Sequence, residues 1–370
     1  MAKKLCPQCK STRVQKYGFI ESEPQSLRGQ KNRKKQRYYC CVCKKTFSQH
    51  HWSKYKRHTS EFIKETVRMY VESKSSSREV AKAMKVDQST VVRWVNELGE
   101  MSLNPQQANK LLQPKWKGIL GIDGKFLHVN GKKMACLLAA DLSTLDITYW
   151  EIASSEDEAG CRQFLINLRE EIYPLRGIVT DLGRGKVWLK LIADIFPEIP
   201  HQACIVHFDR YVNQILPKSK LNKHYQENLL LRQLISNLLY ASSFNDAEEI
   251  FFRLQRANGY FKADYQRTVL KSLSKHFDLL TAHFHYSDLE RTNNITENII
   301  KQLDRKIFLL SDFESAQAAT NFVKLWVCSY RFKPITSSNY SSRNGLSPLQ
   351  LAGVTAKPFD WLDFALIPNN

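Results

Sequence analysis

After Pro114 the chain alternates short apolar runs with amphipathic stretches, in an order that very few folds accept. Residues 117–124 (KGILGIDG) form a short apolar run with Asp123 near its end. Residues 133–141 and 146–152 read as two further strands. Residues 156–172 read as an amphipathic helix. A fourth strand, 176–181, ends on Asp181, and a helix over 185–195 and a fifth strand over 201–206 follow.

This β-β-β-α-β-α-β order is that of the RNase H-like fold, where the first and fourth strands are neighbours. Asp123 and Asp181 are therefore expected to converge. A carboxylate on a buried strand is costly unless it is paired or holds a cation. Two of them on adjacent strand ends point to a divalent, oxygen-preferring metal such as Mg²⁺. Residues 208–290 are mostly helical, including 228–240 and 247–254, and read as an insertion without a catalytic pattern. A further helix is expected from Asn294 or Thr296, carrying Glu297, with Lys301 one turn on and Arg305 beyond it. A glutamate and two cations on one face suit metal binding beside DNA phosphates, and a salt-bridged surface helix is the other reading of this segment.

The net charge of +19 is concentrated at one end of the chain. Residues 1–60 carry 16 Lys and Arg against Glu21 and Glu23. Such a basic end suits a polyanion. Cys6-x-x-Cys9 and Cys40-x-x-Cys43 supply the four thiolates of a tetrahedral Zn²⁺ site in a zinc ribbon. Cys41 is an alternative to Cys40. A basic hairpin between the pairs, with Lys31, Arg33, Lys34, Lys35 and Arg37, can contact DNA phosphates. Cys136, Cys161, Cys204 and Cys328 read as core residues. Residues 60–71, 75–84 and 89–98 form three helices, the last two around a turn at 85–88. This is a helix-turn-helix in which Gln88, Ser89, Thr90 and Arg93 would face DNA. Residues 104–114 read as a linker, and 336–370 as a partly irregular C-terminal tail. No run of about 18 apolar residues and no secretory leader is seen. A reducing cytoplasm, associated with the nucleoid and without membrane contact, is expected.

The motifs resemble one family. Asp123 in GIDGKF, Asp181 in IVTDLGRG and Glu297 in TNNITENIIKQLDRKI resemble the DDE triad of Mutator-like transposases of bacterial insertion sequences, with Glu290, seven residues earlier, the alternative to Glu297. Cys204-Ile-Val-His207 is similar to that family's C-x-x-H element, and CPQC…CCVCKKTF resembles the zinc ribbon fused to many such enzymes. The resemblance implies an α/β chain: a zinc ribbon (1–50), a helix-turn-helix (60–103), and an RNase H-like DDE core (115–335) with its helical insertion at about 208–290. It implies binding of terminal repeats and of target DNA, and strand cleavage and transfer with Mg²⁺ or Mn²⁺ at Asp123, Asp181 and Glu297. It also implies a homo-oligomer on DNA and a place for Cys204 and His207 near the active site. A second zinc site at that element would need His201. Two other readings stay open: a non-catalytic DNA-binding regulator derived from a transposase, and an RNase H-type nuclease.

Overall fold

Short β-branched and aromatic runs shape the N-terminal part of the chain. The computed structural model describes residues 5–22, 25–27, 29–30, 33–48, 58–182, 187–310, 312–355 and 360–368. They fall into two units, divided between Glu97 and Leu98.

In the first unit, β1 (Val14–Ser22) precedes the short strands β2 (Gln25–Ser26) and β3 (Gly29–Gln30). β4 (Arg33–Cys40) then pairs antiparallel with β1, and β5 (Thr46–Ser48) adds to its other edge. The expected basic hairpin is therefore present as backbone. The β1–β4 register shifts between Lys16 and Phe19, where Gly18 takes φ 65°. Lys34 pairs with Glu21 at 3.2 Å, and the Arg37 guanidinium lies 5.8 Å from the Tyr17 ring centre. Arg33 and Lys35 lie on β4, and Lys31 lies outside the described residues.

Three helices follow. α1 (Ser60–Glu72) is capped by Thr59, whose hydroxyl accepts the Phe62 N–H at 3.2 Å. α2 (Ser77–Met84) opens on a Ser76/Glu79 capping box. Lys85 closes it in the left-handed region (φ 55°), and α3 (Gln88–Met101) begins three residues later. Trp94 on α3 is fully buried and meets Phe62 edge-on, ring centres 6.2 Å apart. This apolar contact holds α3 against α1.

The second unit starts with a difference from expectation. Residues 104–114 contain a helix, α4 (Pro105–Leu112), rather than a linker. Its Asn104/Gln107 capping box and Pro105 at the first turn supply the start signal. The sheet comes next. β6 (Ile119–Val129), β7 (Lys132–Asp141) and β8 (Ile147–Ala153) form an antiparallel meander. β6 runs five residues past the expected end, so Asp123 sits in mid-strand. α5 (Glu158–Glu170) leads to β9 (Gly177–Thr180), and α6 (Val187–Ile195) to β10 (His201–Ala203). Both β9 and β10 run parallel to β6, giving a five-stranded mixed sheet in the order β10-β9-β6-β7-β8. The fifth strand stops at Ala203, because Ile205 and Val206 already belong to the next helix.

Leu120, Ile122, Leu137, Tyr149 and Ile178 face α5 and α6, packing on Phe164, Leu165 and Leu191. The opposite face carries Ile119 and Val179. α7 (Ile205–Ile215), α8 (Tyr225–Leu239), α9 (Phe244–Arg256) and α10 (Asp264–Thr281) share a second core around Phe208, Leu231, Leu238, Phe251 and Leu273. α11 (Asn294–Ile307) returns to the sheet and packs on β6 and β7, and α12 (Ala316–Phe332) packs on β8. The described part of 336–370 carries two short α-helices where an irregular tail is expected. α13 (Pro348–Leu351) and α14 (Trp361–Ala365) pack on α12 through buried Leu349, Trp361, Leu362 and Phe364. Among the described residues no helix is long and apolar enough to cross a membrane.

Arg331 on α12 is 4% exposed and grips the fully buried Asp146, Nε to Oδ1 at 2.8 Å and Nη2 to Oδ2 at 2.9 Å. Trp116 Nε1–H donates to the same carboxylate. Removing one partner strands a buried charge. Arg331→Ala is expected to cost about 3–5 kcal/mol in urea unfolding. A loss near that of a surface substitution would show the pair to be dispensable.

Candidate catalytic and zinc centres

Side chains alternate across a strand. Ile119, Gly121 and Asp123 therefore share one face of β6, and Val179 and Asp181 share that face on the neighbouring strand. The parallel register ends at Ile122↔Thr180, so β9 stops where Asp123 and Asp181 come abreast. α11 packs on this face through Asn293 and Thr296 at its start, with Glu297 in its first turn.

Gly121 permits the approach of α11, and Gly124, on the other face, leaves room for Glu156. A Cβ on Gly121 would lie 2.1 Å from Thr296 Oγ1 and 2.3 Å from Asn293 Oδ1. A Cβ on Gly124 would come within 3.2 Å of the Glu156 carboxylate. Asn293 fastens the helix start to the strand, with Nδ2–H donating to the Ile122 carbonyl at 2.8 Å. Gly121→Ala is expected to push α11 off β6 at a cost of about 1–3 kcal/mol. Gly259→Ala, with nothing within 4 Å of the added carbon, is the neutral control. Equal melting temperatures for the two variants would refute the close approach.

Two aspartates of this sheet contrast sharply. Asp141 is fully buried and accepts five hydrogen bonds, from the N–H groups of Lys117, Gly118 and Thr144 and from the hydroxyls of Thr144 and Tyr173. It is a satisfied structural acid. Asp123, half-buried, accepts one hydrogen bond among the described residues, from the N–H of the next residue, Gly124, at 2.8 Å. Burial, then the negative charge of Asp181, push its carboxyl up to about 7, with Glu156 adding to the effect. Glu156 is raised in turn by burial and by Asp181, although Trp188 Nε1–H donates to it at 3.2 Å. Three carboxyl groups thus crowd one end of the sheet, and at Asp123 burial and their mutual repulsion outweigh the opposing pull of His207. An all-oxygen, net-negative donor set of this kind fits Mg²⁺ or Mn²⁺.

Glu297 differs. Burial would raise its carboxyl, but Lys301 Nζ at 2.9 Å and Arg210 Nη1 at 3.2 Å outweigh that and hold it below the usual range. Lys301 is the pairing expected one turn on, whereas Arg210 comes from α7. Glu290 is exposed and precedes α11.

The Cys204–His207 element starts α7 and does not follow a continuing strand. The Cys204 N–H donates to the Thr180 carbonyl at 2.8 Å, and its Sγ accepts the Asn293 N–H at 3.3 Å. One cysteine therefore links β9, α7 and the start of α11. Burial would raise the Cys204 thiol, but the His207 imidazole outweighs it and lowers the thiol. Cys204 raises His207 in return, and Asp181 and Glu297 add to that. His201 is buried, bonded to the Thr180 hydroxyl at 2.8 Å and pushed down to about 4 by burial. Among the described residues, Cys204, His207 and His201 do not close into a three-ligand group, and neither do Asp123, Asp181 and Glu297.

The group that does close is Cys6, Cys9, Cys40 and Cys43, with all four Sγ atoms within 4.8 Å of one another. Cys6–Cys43 is 3.6 Å and Cys9–Cys40 is 3.5 Å. Thiolates about 2.3 Å from a tetrahedral Zn²⁺ stand about 3.8 Å apart, so the cluster fits a zinc ribbon. Cys41 is not part of it. The Cys9 backbone N–H lowers the Cys6 thiol, and the Cys43 N–H takes Cys40 down to about 6. At Cys43 the Lys45 N–H pulls downward, but burial and the neighbouring thiols leave it at about 11. In the helical part, Gln88, Ser89 and Arg93 are exposed and Thr90 is half-buried. Gln88 is already engaged: Arg78 donates to its Oε1 at 3.1 Å, and its Nε2 donates to Ser77 at 2.9 Å.

Glu156 and Arg210 are the site residues that the sequence pattern missed. Glu156 reads as an ordinary acid before a helix, and Arg210 is 87 positions from the glutamate it pairs with.

Comparison with known proteins identifies the family. The insertion element ISM1 protein of Methanobrevibacter smithii is 22% identical over 326 residues, covering 80% of this chain and 75% of that protein. Among solved structures, the Drosophila P element transposase strand transfer complex aligns over 82% of this chain and 91% of its own, at 11% identity and a TM-score of 0.34, too slight a likeness to bear on the fold. The family model "Transposase, Mutator family" matches residues 43–329, most of the chain. The chain belongs to the Mutator family of transposases.

Proposed function

We propose that this transposase cuts and rejoins DNA at a metal-dependent DDE centre of Asp123, Asp181 and Glu297 on an RNase H-like core. The observation that carries the reading is Asp123, a half-buried carboxylate with one hydrogen-bond donor among the described residues, facing Asp181. Asp123 and Asp181 would hold Mg²⁺ or Mn²⁺, and Glu297 would complete the set. Bound there, the metal supplies Lewis-acid stabilisation of the attacking and leaving oxygens in an in-line displacement. The chain's own residues do the rest. Arg210 and Lys301 hold the Glu297 carboxylate in place. Cys204 keeps β9, α7 and α11 in one arrangement. No serine or tyrosine nucleophile is required, because water, and then the freed 3′-OH, attacks phosphorus directly.

The N-terminal unit is the DNA reader in this account. Zn²⁺ at Cys6, Cys9, Cys40 and Cys43 would fold the ribbon. Lys31, Arg33, Lys34, Lys35 and Arg37 would hold phosphates. Ser89, Thr90 and Arg93 would face the major groove, with Gln88 oriented by Arg78 and Ser77. Cutting two element ends together calls for a homo-oligomer on DNA.

Strand transfer tests the reading. A pre-cut terminal-repeat duplex with a free 3′-OH is mixed with supercoiled plasmid, protein and Mg²⁺ or Mn²⁺. Covalently joined products are expected. Nicking without joining would place the chain among nucleases, and binding with neither would make it a regulator.

A further inference from the structure

A cleft of about 830 Å³ opens from Asp181 and His207 between α7 and α10. Its walls carry Arg210 from α7 and Lys271 and Lys275 from α10, whereas Asp181 is its one acid among the described residues. Lys271 and Lys275 lie one helical turn apart on the same face, exposed, with no ion-pair partner among the described residues. Two like charges so placed weaken an isolated helix slightly. The helix bearing them is nevertheless held firmly. Val269, Leu270, Leu273 and Phe277 anchor α10 in the insertion core, and Leu182, next to Asp181, packs on that same core. The cations are thus fixed relative to the acidic centre.

We infer that this cleft seats the phosphate backbone of the DNA strand leaving the scissile position, with Lys271 and Lys275 as sequence-independent phosphate contacts. The inference rests on the proposed DDE centre for the meaning of "scissile position". The charge argument is independent of it. A cationic wall beside clustered carboxylates lets a polyanion approach a site that would otherwise repel it. The helical insertion thereby becomes part of the DNA-binding surface, rather than a spacer between Asp181 and Glu297.

The test uses full-length protein and the double variant Lys271→Ala/Lys275→Ala, with Lys271→Arg/Lys275→Arg as the charge-preserving control. Binding to a labelled terminal-repeat DNA is measured across salt concentrations without divalent metal, and cleavage is then measured with Mn²⁺. Loss of two phosphate contacts should reduce the slope of log Kobs against log salt by about 1.4–1.8. Cleavage should fall roughly tenfold or more from misplacement of the strand, and the arginine variant should restore both. An unchanged slope in the alanine variant overturns the inference. If wild-type protein fails to cleave while the slope still drops, the DDE reading fails and the cleft assignment stands.

Discussion

Asp123→Asn is expected to abolish metal-dependent cleavage and, in the same protein, to raise stability at neutral and alkaline pH. The first effect should be at least about 10³-fold, because a carboxylate that holds a catalytic metal supplies several kcal/mol of transition-state stabilisation. The second follows from the raised carboxyl. Below the unfolded-state value near 4, Asp123 is protonated in both states and costs nothing. Between about 4 and 7 the unfolded chain releases a proton that the folded protein retains, so stability falls as pH rises. Above 7 the full cost of a buried, repelled charge is present, at most about 4 kcal/mol. Asparagine removes that charge. The gain in melting temperature of metal-free Asp123→Asn should therefore be absent at pH 4 and largest above pH 7. In saturating Mn²⁺ the ranking should reverse, since the wild type then gains binding energy that the variant lacks. A variant that loses activity but gains no stability at any pH would show that Asp123 is not held under electrostatic stress.

Zinc removal should have a comparably large effect, confined at first to the other unit. A ribbon of this size has little core: among its described residues Cys6, Tyr38 and Cys40 are the buried apolar ones, while Tyr17 and Phe19 are exposed. Small modules of that kind depend on their metal. Purified protein should contain one zinc per chain. Cys6→Ser/Cys9→Ser, or a strong chelator, should take the content to zero, abolish amide protection across β1 and β4, and impair DNA binding. Acidification should release the metal as the thiolates protonate. Unchanged protection after chelation would mean that the strands hold without zinc.

The elements that sequence reading placed well are those whose pattern is local. The apolar runs at β6, β7 and β8 and the Asp181 that follows β9 are visible from alternation and from a carboxylate after an apolar run. Residues 201–206 show the limit. An apolar run this short suits strand or helix equally, and the change comes at Cys204: its N–H still bonds across to the Thr180 carbonyl, while its own carbonyl accepts the Phe208 N–H at 3.2 Å and opens the helix. The helix at Pro105 and the one at Pro348 each begin with a capping box, at Asn104/Gln107 and Ser347/Gln350. Those signals were present, but the polar composition suggested linker and tail instead. Glu156, Arg210, Lys271 and Lys275 had no local signal. Their significance comes from neighbours far along the chain, which only tertiary structure brings together.

The most direct test of the central claim is end cleavage by the wild type and by Asp181→Ala, on labelled DNA carrying the flanking terminal repeats, with Mg²⁺ or Mn²⁺ and with EDTA. The account predicts a nick at the repeat boundary that requires the metal, leaves a 3′-OH, and disappears in Asp181→Ala while end binding persists. Cleavage retained by that variant, or proceeding in EDTA, would contradict it.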